Sequence, residues 1–489
     1  MSDAGKRFYL AIDLGAESGR VMLATLADGN LSLDELHRFP NTPLHVDGSL
    51  CWDIAALFEG VKEGLRKAAA RQLPIASVST DSWGIDYVLL DEGDRIMAPA
   101  FHYRDARTAQ GVERVRSLVP WSEVFAETGI QFMPMNTIYQ LAAESPERLQ
   151  RARQVLMIGD AVNHFLCGAV SAEETLASTT QLYNPRTRNW SPKLLAALGL
   201  RREMFPQIVP AGTRLGKLRP ELARETGLAE IEVIATCSHD TGAAVAAIPA
   251  QGNDWAYISS GTWSLMGAEL ASPLITEQCR EFNFTNEIGF GGSVRLLKNI
   301  IGLWIVQECR REWARQGNDF YYATLMRLAS ETPPFFSLLD PADSRFVTPG
   351  DMPGKIDAFC HDTKQPIPDT PGATIRCVLE SLALLYRRTL EQLERLLGRK
   401  VQRLHIVGGG SRNELLNQFT ANALGILVLA GPVEATALGN VLVQAIALGD
   451  LPSLGAARDL VRQSFPLTRY EPRHRGEWDA AYEKLFKSR

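Results

Sequence analysis

Two patterns of apolar and polar positions alternate along this chain. Apolar runs typical of buried strands occupy residues 8–14, 20–26, 75–79 and 87–90. Residues 54–71 instead place apolar side chains at positions 54, 57, 58, 61 and 65, close to the 3.6-residue period of a helix. Because strand-like and helical runs follow one another throughout, the pattern predicts an α/β protein with mixed sheets.

A short turn of small residues occurs twice in the same setting. Each copy joins two strand-like runs: Ile12-Asp13-Leu14-Gly15-Ala16-Glu17-Ser18-Gly19-Arg20 and, 246 positions later, Ile258-Ser259-Ser260-Gly261-Thr262-Trp263-Ser264. Backbone N–H groups and hydroxyls at such a turn suit phosphate oxygens. The repeat predicts two related domains that hold one phosphate chain, although a match of so few positions also arises by chance.

The best domain boundary follows a helix predicted over residues 241–248. The next residues read Pro-Ala-Gln-Gly-Asn-Asp and divide the chain into parts of nearly equal size, 1–248 and 254–489, each opening on one of the two turns. Residues 121–185 are predicted to be mainly helical. Residues 330–371 are rich in Pro and Asp and are predicted to form long surface loops.

Composition narrows the class of protein. A net charge of −5 over 489 residues argues against nucleic acid or an anionic membrane as the main partner. We find no apolar run of the ~18–20 residues that span a bilayer and no signal-peptide pattern at the polar start. The seven cysteines form no CxxC pair and no cluster with histidine, which indicates reduced thiols in a cytoplasmic protein without a zinc site. The sequence leaves open whether Cys360 and Cys377 form a disulfide.

Two aspartates are candidates for chemistry because each comes at the end of a strand-like run. Asp13 suits a Mg²⁺ ion, held directly or through water, unless it only satisfies the turn. Asp240, in His239-Asp240-Thr241, suits a general base or an N-cap of the following helix, and the two roles are compatible. A helix that starts at Thr241 would also favour the ionised form of Asp240.

A third glycine-rich stretch ends another strand-like run. Residues 404–411 read Leu-His-Ile-Val-Gly-Gly-Gly-Ser, and Ser411 with Glu414 forms a capping-box pattern ahead of a helix. Consecutive glycines allow an adenine or a ribose to approach the backbone closely, although such turns have many uses. The small residues of 434–440 predict a helix that packs closely against a neighbour.

In this order the motifs resemble those of the FGGY carbohydrate kinase family, within the actin-like ATPase superfamily. The resemblance extends from about residue 8 to about residue 445. Besides the two turns and Ile406-Val407-Gly408-Gly409-Gly410, it rests on Thr80-Asp81-Ser82-Trp83-Gly84-Ile85-Asp86, Tyr103-Arg104-Asp105-Ala106-Arg107-Thr108, Gly129-Ile130-Gln131-Phe132, Asn136-Thr137-Ile138-Tyr139-Gln140, Ser238-His239-Asp240-Thr241 and Leu297-Lys298-Asn299-Ile300-Ile301-Gly302-Leu303-Trp304.

The resemblance implies two actin-like, ribonuclease H-like domains with mixed sheets around a central cleft. The N-terminal domain would carry sugar binding and the first phosphate turn, and the C-terminal domain the second turn and adenosine binding. The implied reaction is ATP-dependent phosphorylation of L-rhamnulose at O1, with Mg²⁺, in L-rhamnose degradation, by a monomer or dimer. The alternatives are another ketose or polyol kinase, such as a fuculokinase or xylulokinase, and a non-catalytic actin-like nucleotide-binding protein, which His239-Asp240-Thr241 disfavours.

The resemblance also implies roles for single residues. Asp240 would be the catalytic base, and Asp13 would hold Mg²⁺ directly or through water. ATP would be contacted by Ala16, Glu17, Ser18, Gly19, Arg20, Thr262, Gln307 and Gly409, and the sugar by Gly84, His239, Asp240, Thr241 and Asn299. The first turn of the superfamily usually reads Gly-Thr, whereas this chain has Gly15-Ala16, so Ser18 is expected to supply the missing hydroxyl.

Overall fold

Two compact units make up the chain, and neither is continuous in sequence. In the computed structural model, which describes residues 5–486, the first unit comprises the chain up to Pro249 together with Glu269–Leu296 and Ala435–Ser464. The second comprises Ala250–Ala268, Leu297–Glu434 and the chain from Phe465 onward. Residues from the last eighth of the sequence therefore join a unit built mainly from its first half.

The strands follow one another along the chain in this order: β1 Arg7–Leu14, β2 Ser18–Ala27, β3 Asn30–Pro40, β4 Leu44–Val46, β5 Ser49–Trp52, β6 Ile75–Ser82, β7 Tyr87–Leu90, β8 Ala100–Phe101, β9 Gln154–Met157, β10 Ala172–Glu173, β11 Tyr183–Asn184, β12 Asn189–Trp190, β13 Ile208–Val209, β14 Arg214–Lys217, β15 Glu232–Ile234, β16 Trp255–Ser260, β17 Trp263–Leu270, β18 Thr285–Ile288, β19 Val294–Ile301, β20 Arg403–Val407, β21 Leu427–Ala430 and β22 Thr468–Tyr470.

The α-helices occupy these segments: α1 Ile54–Ala69, α2 Thr108–Leu118, α3 Trp121–Thr128, α4 Thr137–Ala142, α5 Pro146–Arg151, α6 Ile158–Cys167, α7 Glu174–Ala177, α8 Pro192–Leu198, α9 Pro220–Thr226, α10 Asp240–Ala246, α11 Glu277–Glu281, α12 Trp304–Arg315, α13 Tyr322–Glu331, α14 Met352–Asp362, α15 Pro371–Leu397, α16 Glu414–Leu424, α17 Ala435–Leu448, α18 Leu454–Ser464 and α19 Arg475–Phe486.

The sheet of the first unit has the strand order β14-β15-β6-β1-β2-β3. Strand β1 pairs antiparallel with β2 and parallel with β6, so that Asp13 lies opposite both Arg20 and Asp81. Helix α1 begins where Asp53 accepts a hydrogen bond from the backbone N–H of Ala56. Its apolar face belongs to the same buried cluster as the apolar side chains of β1, as its helical period predicts.

The second large sheet has the order β18-β19-β17-β16-β20-β21-β22. Strand β16 pairs antiparallel with β17 and parallel with β20, which repeats the arrangement of β2, β1 and β6. Each hairpin turn therefore has a parallel third strand beside it. The α/β fold with mixed sheets that the apolar pattern predicted is confirmed.

The prediction of surface loops over residues 330–371 is wrong for part of that segment. Helix α14 buries Met352, Ile356, Phe359 and Cys360, whose spacing places them on one helix face. The polar residues that indicated loops begin this helix instead, since Asp351 accepts a hydrogen bond from the N–H of Gly354 and a proline occupies the first turn.

Two further features bear on the sequence predictions. All seven cysteines are free thiols, so Cys360 and Cys377 are not bridged. Within residues 5–486, none of the helices combines the length and the apolar character needed to cross a membrane.

Candidate active site

The β1–β2 turn places a buried carboxylate at its base. The N–H of Gly15 donates to the carbonyl of Ser18 at 2.9 Å and closes the turn. Asp13, only 7 % exposed, forms an ion pair with Arg20 through Oδ2. A side chain at Gly19 would overlap the ring of Phe39, so this glycine is needed for packing whatever the turn binds.

A second acid lies beside Asp13 on the neighbouring strand. Asp81 is fully buried, and its Oδ2 accepts a hydrogen bond of 2.6 Å from Asn440 of α17, whereas its Oδ1 has no partner among residues 5–486. Burial raises the pKa of Asp81 well above its usual value, and the charge of Asp13 raises it further. Gln444, one turn further along α17, donates to the carbonyl of Leu10 and so ties the helix to β1.

Buried polar side chains hold the backbone of the segment that leads into α10. Glu173 accepts a hydrogen bond from the N–H of Ser238, and the hydroxyl of Thr175 accepts one from the N–H of His239, both at 3.0 Å. Burial raises the pKa of Glu173 to about 7. The helix itself begins at Asp240, one residue earlier than predicted, with His239 as the N-cap residue.

Small residues allow α17 to lie directly against α10. A side chain at Gly439 would overlap the carbonyl oxygen of Ala243, so the two helix backbones touch at this point. The close packing predicted for residues 434–440 is confirmed, and its partner is the helix that carries Asp240.

The carboxylate of Asp240 uses one oxygen for structure. Oδ1 accepts hydrogen bonds from the N–H of Thr241 at 2.5 Å and from its hydroxyl at 3.1 Å, and lies 3.2 Å from Nε2 of His239. Among the described residues, none donates a hydrogen bond to Oδ2. Oδ2 is therefore available to an incoming hydroxyl.

The electrostatic setting of Asp240 differs from the expectation of a readily ionised group. The side chain of Asp240 is 32 % exposed. Desolvation raises the pKa of Asp240, and His239 and the N–H of Thr241 oppose this shift without cancelling it. The start of the helix lowers the pKa as predicted, but burial outweighs it.

Gly84 lies next to His239 in the first unit. A Cβ at Gly84 would come within 3.3 Å of His239 Nε2 and 3.1 Å of the side chain of Thr179. On its other side, the His239 ring contacts Arg295 and Glu287. Any larger residue at position 84 would occupy the space in front of Nε2.

The β16–β17 turn belongs to the second unit and is supported by backbone. The N–H groups of Gly302 and Trp304 donate to the carbonyl of Thr262, and that of Leu303 to the carbonyl of Gly261. The hydroxyl of Thr262 donates to Oε1 of Gln307, in the first turn of α12, at 3.2 Å. The predicted residues Thr262 and Gln307 are thus brought together.

The three glycines after β20 have different surroundings. A side chain at Gly410 would overlap Ser260, and Gly408 adopts φ +83°, a conformation that favours glycine. No atom lies within 4 Å of a Cβ built at Gly409, so this backbone faces open space. The capping box predicted with Ser411 is wrong, because a 3₁₀ turn intervenes and Asn413 caps α16 instead.

The fourteen predicted site residues divide between the two units. The first unit holds Asp13, Ala16, Glu17, Ser18, Gly19, Arg20, Gly84, His239, Asp240 and Thr241, and the second holds Thr262, Gln307 and Gly409, with Asn299 on β19. Sequence reasoning missed Glu173, Glu287, Arg295 and Asn440. A charged residue inside the apolar run Val294-Arg295-Leu296 was the one available signal.

The fit of a Mg²⁺ ion can be judged from the donor atoms. Within residues 5–486, no three His, Cys, Asp or Glu side chains are arranged to hold a metal ion. Mg²⁺ nevertheless keeps several waters and needs only one or two carboxylates. Oδ1 of Asp13 accepts no hydrogen bond from the described residues, and the acids around it repel one another. Asp13 therefore fits a hydrated cation.

Comparison with known proteins gives consistent matches along the chain. The model of the FGGY family of carbohydrate kinases, N-terminal domain, matches residues 8–247, and that of the C-terminal domain matches residues 256–448. A rhamnulokinase of Bacteroides thetaiotaomicron is 45% identical over 480 residues, covering 98% of both chains, and one of Enterococcus faecalis is 42% identical over 95% of this chain and 94% of its own. The structure of a ligand-bound xylulose kinase from Lactobacillus acidophilus has a TM-score of 0.80 at 17% identity, over 99% of this chain and 96% of that one.

Proposed function

The chain belongs to the FGGY family of carbohydrate kinases, and we propose that within this family it is a rhamnulokinase. It transfers the γ-phosphoryl group of ATP to O1 of L-rhamnulose and releases L-rhamnulose 1-phosphate and ADP, in L-rhamnose degradation. The observation that carries this proposal is the 45% identity to a rhamnulokinase over 98% of both chains. We place the enzyme in the cytoplasm, as a monomer or dimer.

The acceptor hydroxyl interacts with Asp240. Oδ2 of this carboxylate is the free oxygen at the start of α10, and it orients the sugar O1 hydroxyl by accepting its hydrogen bond. A carboxylate cannot deprotonate a sugar alcohol in the ground state, but in a loose transition state the proton leaves late. The raised pKa of Asp240 helps here, because a stronger base accepts that proton more readily.

The other sugar and nucleotide contacts are assigned from the family resemblance. Gly84, His239, Thr241 and Asn299 bind the sugar. The ATP contacts are Ala16, Glu17, Ser18, Gly19, Arg20, Thr262, Gln307 and Gly409. The open space at Gly409 and the hydroxyl–amide pair of Thr262 and Gln307 support this assignment. Residues 1–248 carry sugar binding and the first phosphate turn, and residues 254–489 the second turn and adenosine binding.

Asp13 holds Mg²⁺, directly or through water. A bound Mg²⁺ neutralises charge on the phosphate oxygens as the phosphoryl group transfers. The side chain of Arg20 engages Oδ2 of Asp13 and leaves Oδ1 for the ion. The hydroxyl of Ser18 takes the place of the threonine hydroxyl that Ala16 lacks.

A panel of acceptors tests the substrate. L-rhamnulose, L-fuculose, D-xylulose and glycerol are assayed for ADP release with Mg-ATP, and L-rhamnulose is expected to have the highest kcat/KM. Preference for another ketose overturns the substrate and keeps the kinase. ATP-dependent sedimentation without phosphorylation of any acceptor would favour the non-catalytic alternative.

The Asp240→Asn variant tests the base. Sugar-dependent ADP release is expected to fall by about 10²–10⁴-fold, while calorimetric binding of ATP stays within about twofold. The matched control is Asp94→Asn, which removes a half-exposed carboxylate of the same unit and should turn over normally. Near-normal turnover of Asp240→Asn rules out its assignment as the base.

A further inference from the structure

Arg295 is the largest fully buried side chain among the described residues. Because it carries a charge, its burial requires an explanation. Its Nη2 lies 3.1 Å from Oε2 of Glu287, and its Nε donates to the carbonyl of Ile288 at 3.1 Å. Within the described part of the chain, the buried Nη1 has no hydrogen-bond partner. Because a buried ion pair is often no more stabilising than apolar side chains of the same volume, stability alone does not account for it.

The same Nη2 also approaches the ring of His239. The distance from Nη2 to Nδ1 is 3.0 Å. A guanidinium only donates hydrogen bonds, so Nδ1 must accept this one with its lone pair, and the ring proton is then on Nε2. Oε2 of Glu287, 3.3 Å from Nδ1, would favour a proton there, but that proton would set two donors against each other at 3.0 Å.

The opposite side of the ring reaches Asp240. With its proton on Nε2, His239 turns that N–H side toward Oδ1 at 3.2 Å, the oxygen that Thr241 already engages with two hydrogen bonds. The two hydrogen bonds from Thr241 and the close contact with Nε2 of His239 all engage this one oxygen of the carboxylate. Oδ2 is then the only oxygen left to face a hydroxyl.

We propose that Arg295, paired with Glu287, is a positioning residue for phosphoryl transfer. It fixes His239 as a neutral ring protonated at Nε2, and His239 in turn directs Oδ2 of Asp240 toward the acceptor hydroxyl. The second half of this statement rests on the proposed function, in which Asp240 is the base. The first half concerns the ring alone.

The ring itself gives a test that needs no substrate. Long-range ¹⁵N–¹H correlation spectra of the full chain, labelled with ¹⁵N-histidine, distinguish the two tautomers and the imidazolium, and the signals absent from His239→Gln identify the residue. At neutral pH we expect Nε2 to be protonated and Nδ1 bare. A His239 imidazolium, or a proton on Nδ1, overturns the proposal.

Kinetics of a charge-neutral pair of substitutions give the second test. Glu287→Gln with Arg295→Met removes the donor without leaving a buried charge, and we expect the single tautomer to be lost and kcat to fall at least about tenfold. The KM for ATP should stay within about twofold. Arg295→Lys keeps a donor and should recover part of kcat.

The matched control is a buried ion pair elsewhere in the first unit. Glu144→Gln with Arg148→Met breaks a pair whose side chains are 1 % and 16 % exposed, and kcat should stay within about twofold even if stability falls. An equal loss of kcat in this control, or wild-type kcat in the folded Glu287/Arg295 variant, contradicts a positioning role.

The two proposals can fail separately. If L-rhamnulose is not phosphorylated, the substrate assignment fails, and the kinetics are repeated with the acceptor that the panel identifies. If the tautomer is wrong while L-rhamnulose is phosphorylated normally, only the role of Arg295 is lost.

Discussion

The β1–β2 and β16–β17 turns share one arrangement of strands and differ in their chemistry. Both hairpins pair with a parallel third strand at the same edge. In the first, Asp13 faces Arg20 and Asp81, and all three can carry charge. In the second, the position 246 residues after Asp13 is Ser259, and the polar contact next to the turn joins the neutral groups of Thr262 and Gln307.

The difference shows how a repeated scaffold can serve two purposes. Around the first turn, burial and the charge of Asp13 raise the pKa values of Asp81 and Asp240, so electrostatics decide which groups are ionised. The second turn is held by backbone hydrogen bonds and by the close approach of Gly302, so its shape is decided by packing. Charge substitutions should therefore act at the first turn and steric ones at the second.

The largest difference is expected between equivalent positions of the two turns. Asp13→Asn removes the charge that we propose holds Mg²⁺ at the phosphates, and kcat/KM should fall about 10²–10³-fold. Ser259→Ala, its counterpart in the second turn, should change kcat/KM less than about threefold. Steady-state assays at saturating Mg²⁺ measure both, and equal losses would remove the distinction between the turns.

The stability of the protein should depend on pH through Glu173, the buried acid that holds the backbone just before Asp240. The pKa of Glu173 is raised from 4.5 to about 7, so the folded chain keeps a proton that the unfolded chain loses, and stability falls as pH rises through this window. The free energy of unfolding of Glu173→Gln minus that of wild type should therefore increase by roughly 3 kcal/mol as the pH rises from 4.5 to 7.5.

Urea unfolding at the two pH values measures this gain. The control is Glu221→Gln on the surface, whose side chain is 76 % exposed and which should show no such trend. A constant difference between Glu173→Gln and wild type across the range would show that Glu173 ionises normally in the folded chain.

A steric effect is expected at the second turn. A Cβ at Gly302 would lie 2.7 Å from the carbonyl carbon of Trp263 and 2.8 Å from the carbonyl oxygen of Gly261, so Gly302→Ala should destabilise by about 1–3 kcal/mol. Gly476→Ala, where no atom lies within 4 Å, is the control and should be neutral or stabilising. Thermal unfolding compares them, and equal midpoints would refute the packing argument.

The smallest effect concerns the hydroxyl–amide pair of the second turn. Thr262→Val loses a hydrogen bond worth about 1 kcal/mol and should raise the KM for ATP about fivefold, with kcat within about twofold. Thr262→Ser keeps the hydroxyl and should behave as wild type. A fall in kcat at unchanged KM would instead indicate that Thr262 makes its contact only in the transition state.

Local sequence was informative where the structure depends on near neighbours. The strands around both turns, helix α1 and the small residues of α17 were predicted from spacing of apolar and glycine residues. Caps were harder, because Ser411 and Asn413 are both good caps and the choice depends on a 3₁₀ turn that packs Gly410 against Ser260. Helix α14 was missed for a related reason, as Pro and Asp start helices as well as loops.

The sequence by itself determined the α/β class, the two hairpins, the family and the residue types available for chemistry, because these depend on short patterns that survive any arrangement in space. Only the tertiary structure decided that residues 435–464 join the first unit, that Asn440 meets Asp81, and that Arg295 meets His239. Those contacts join residues far apart in sequence. Burial at such contacts, which no local pattern encodes, sets which acids keep their protons.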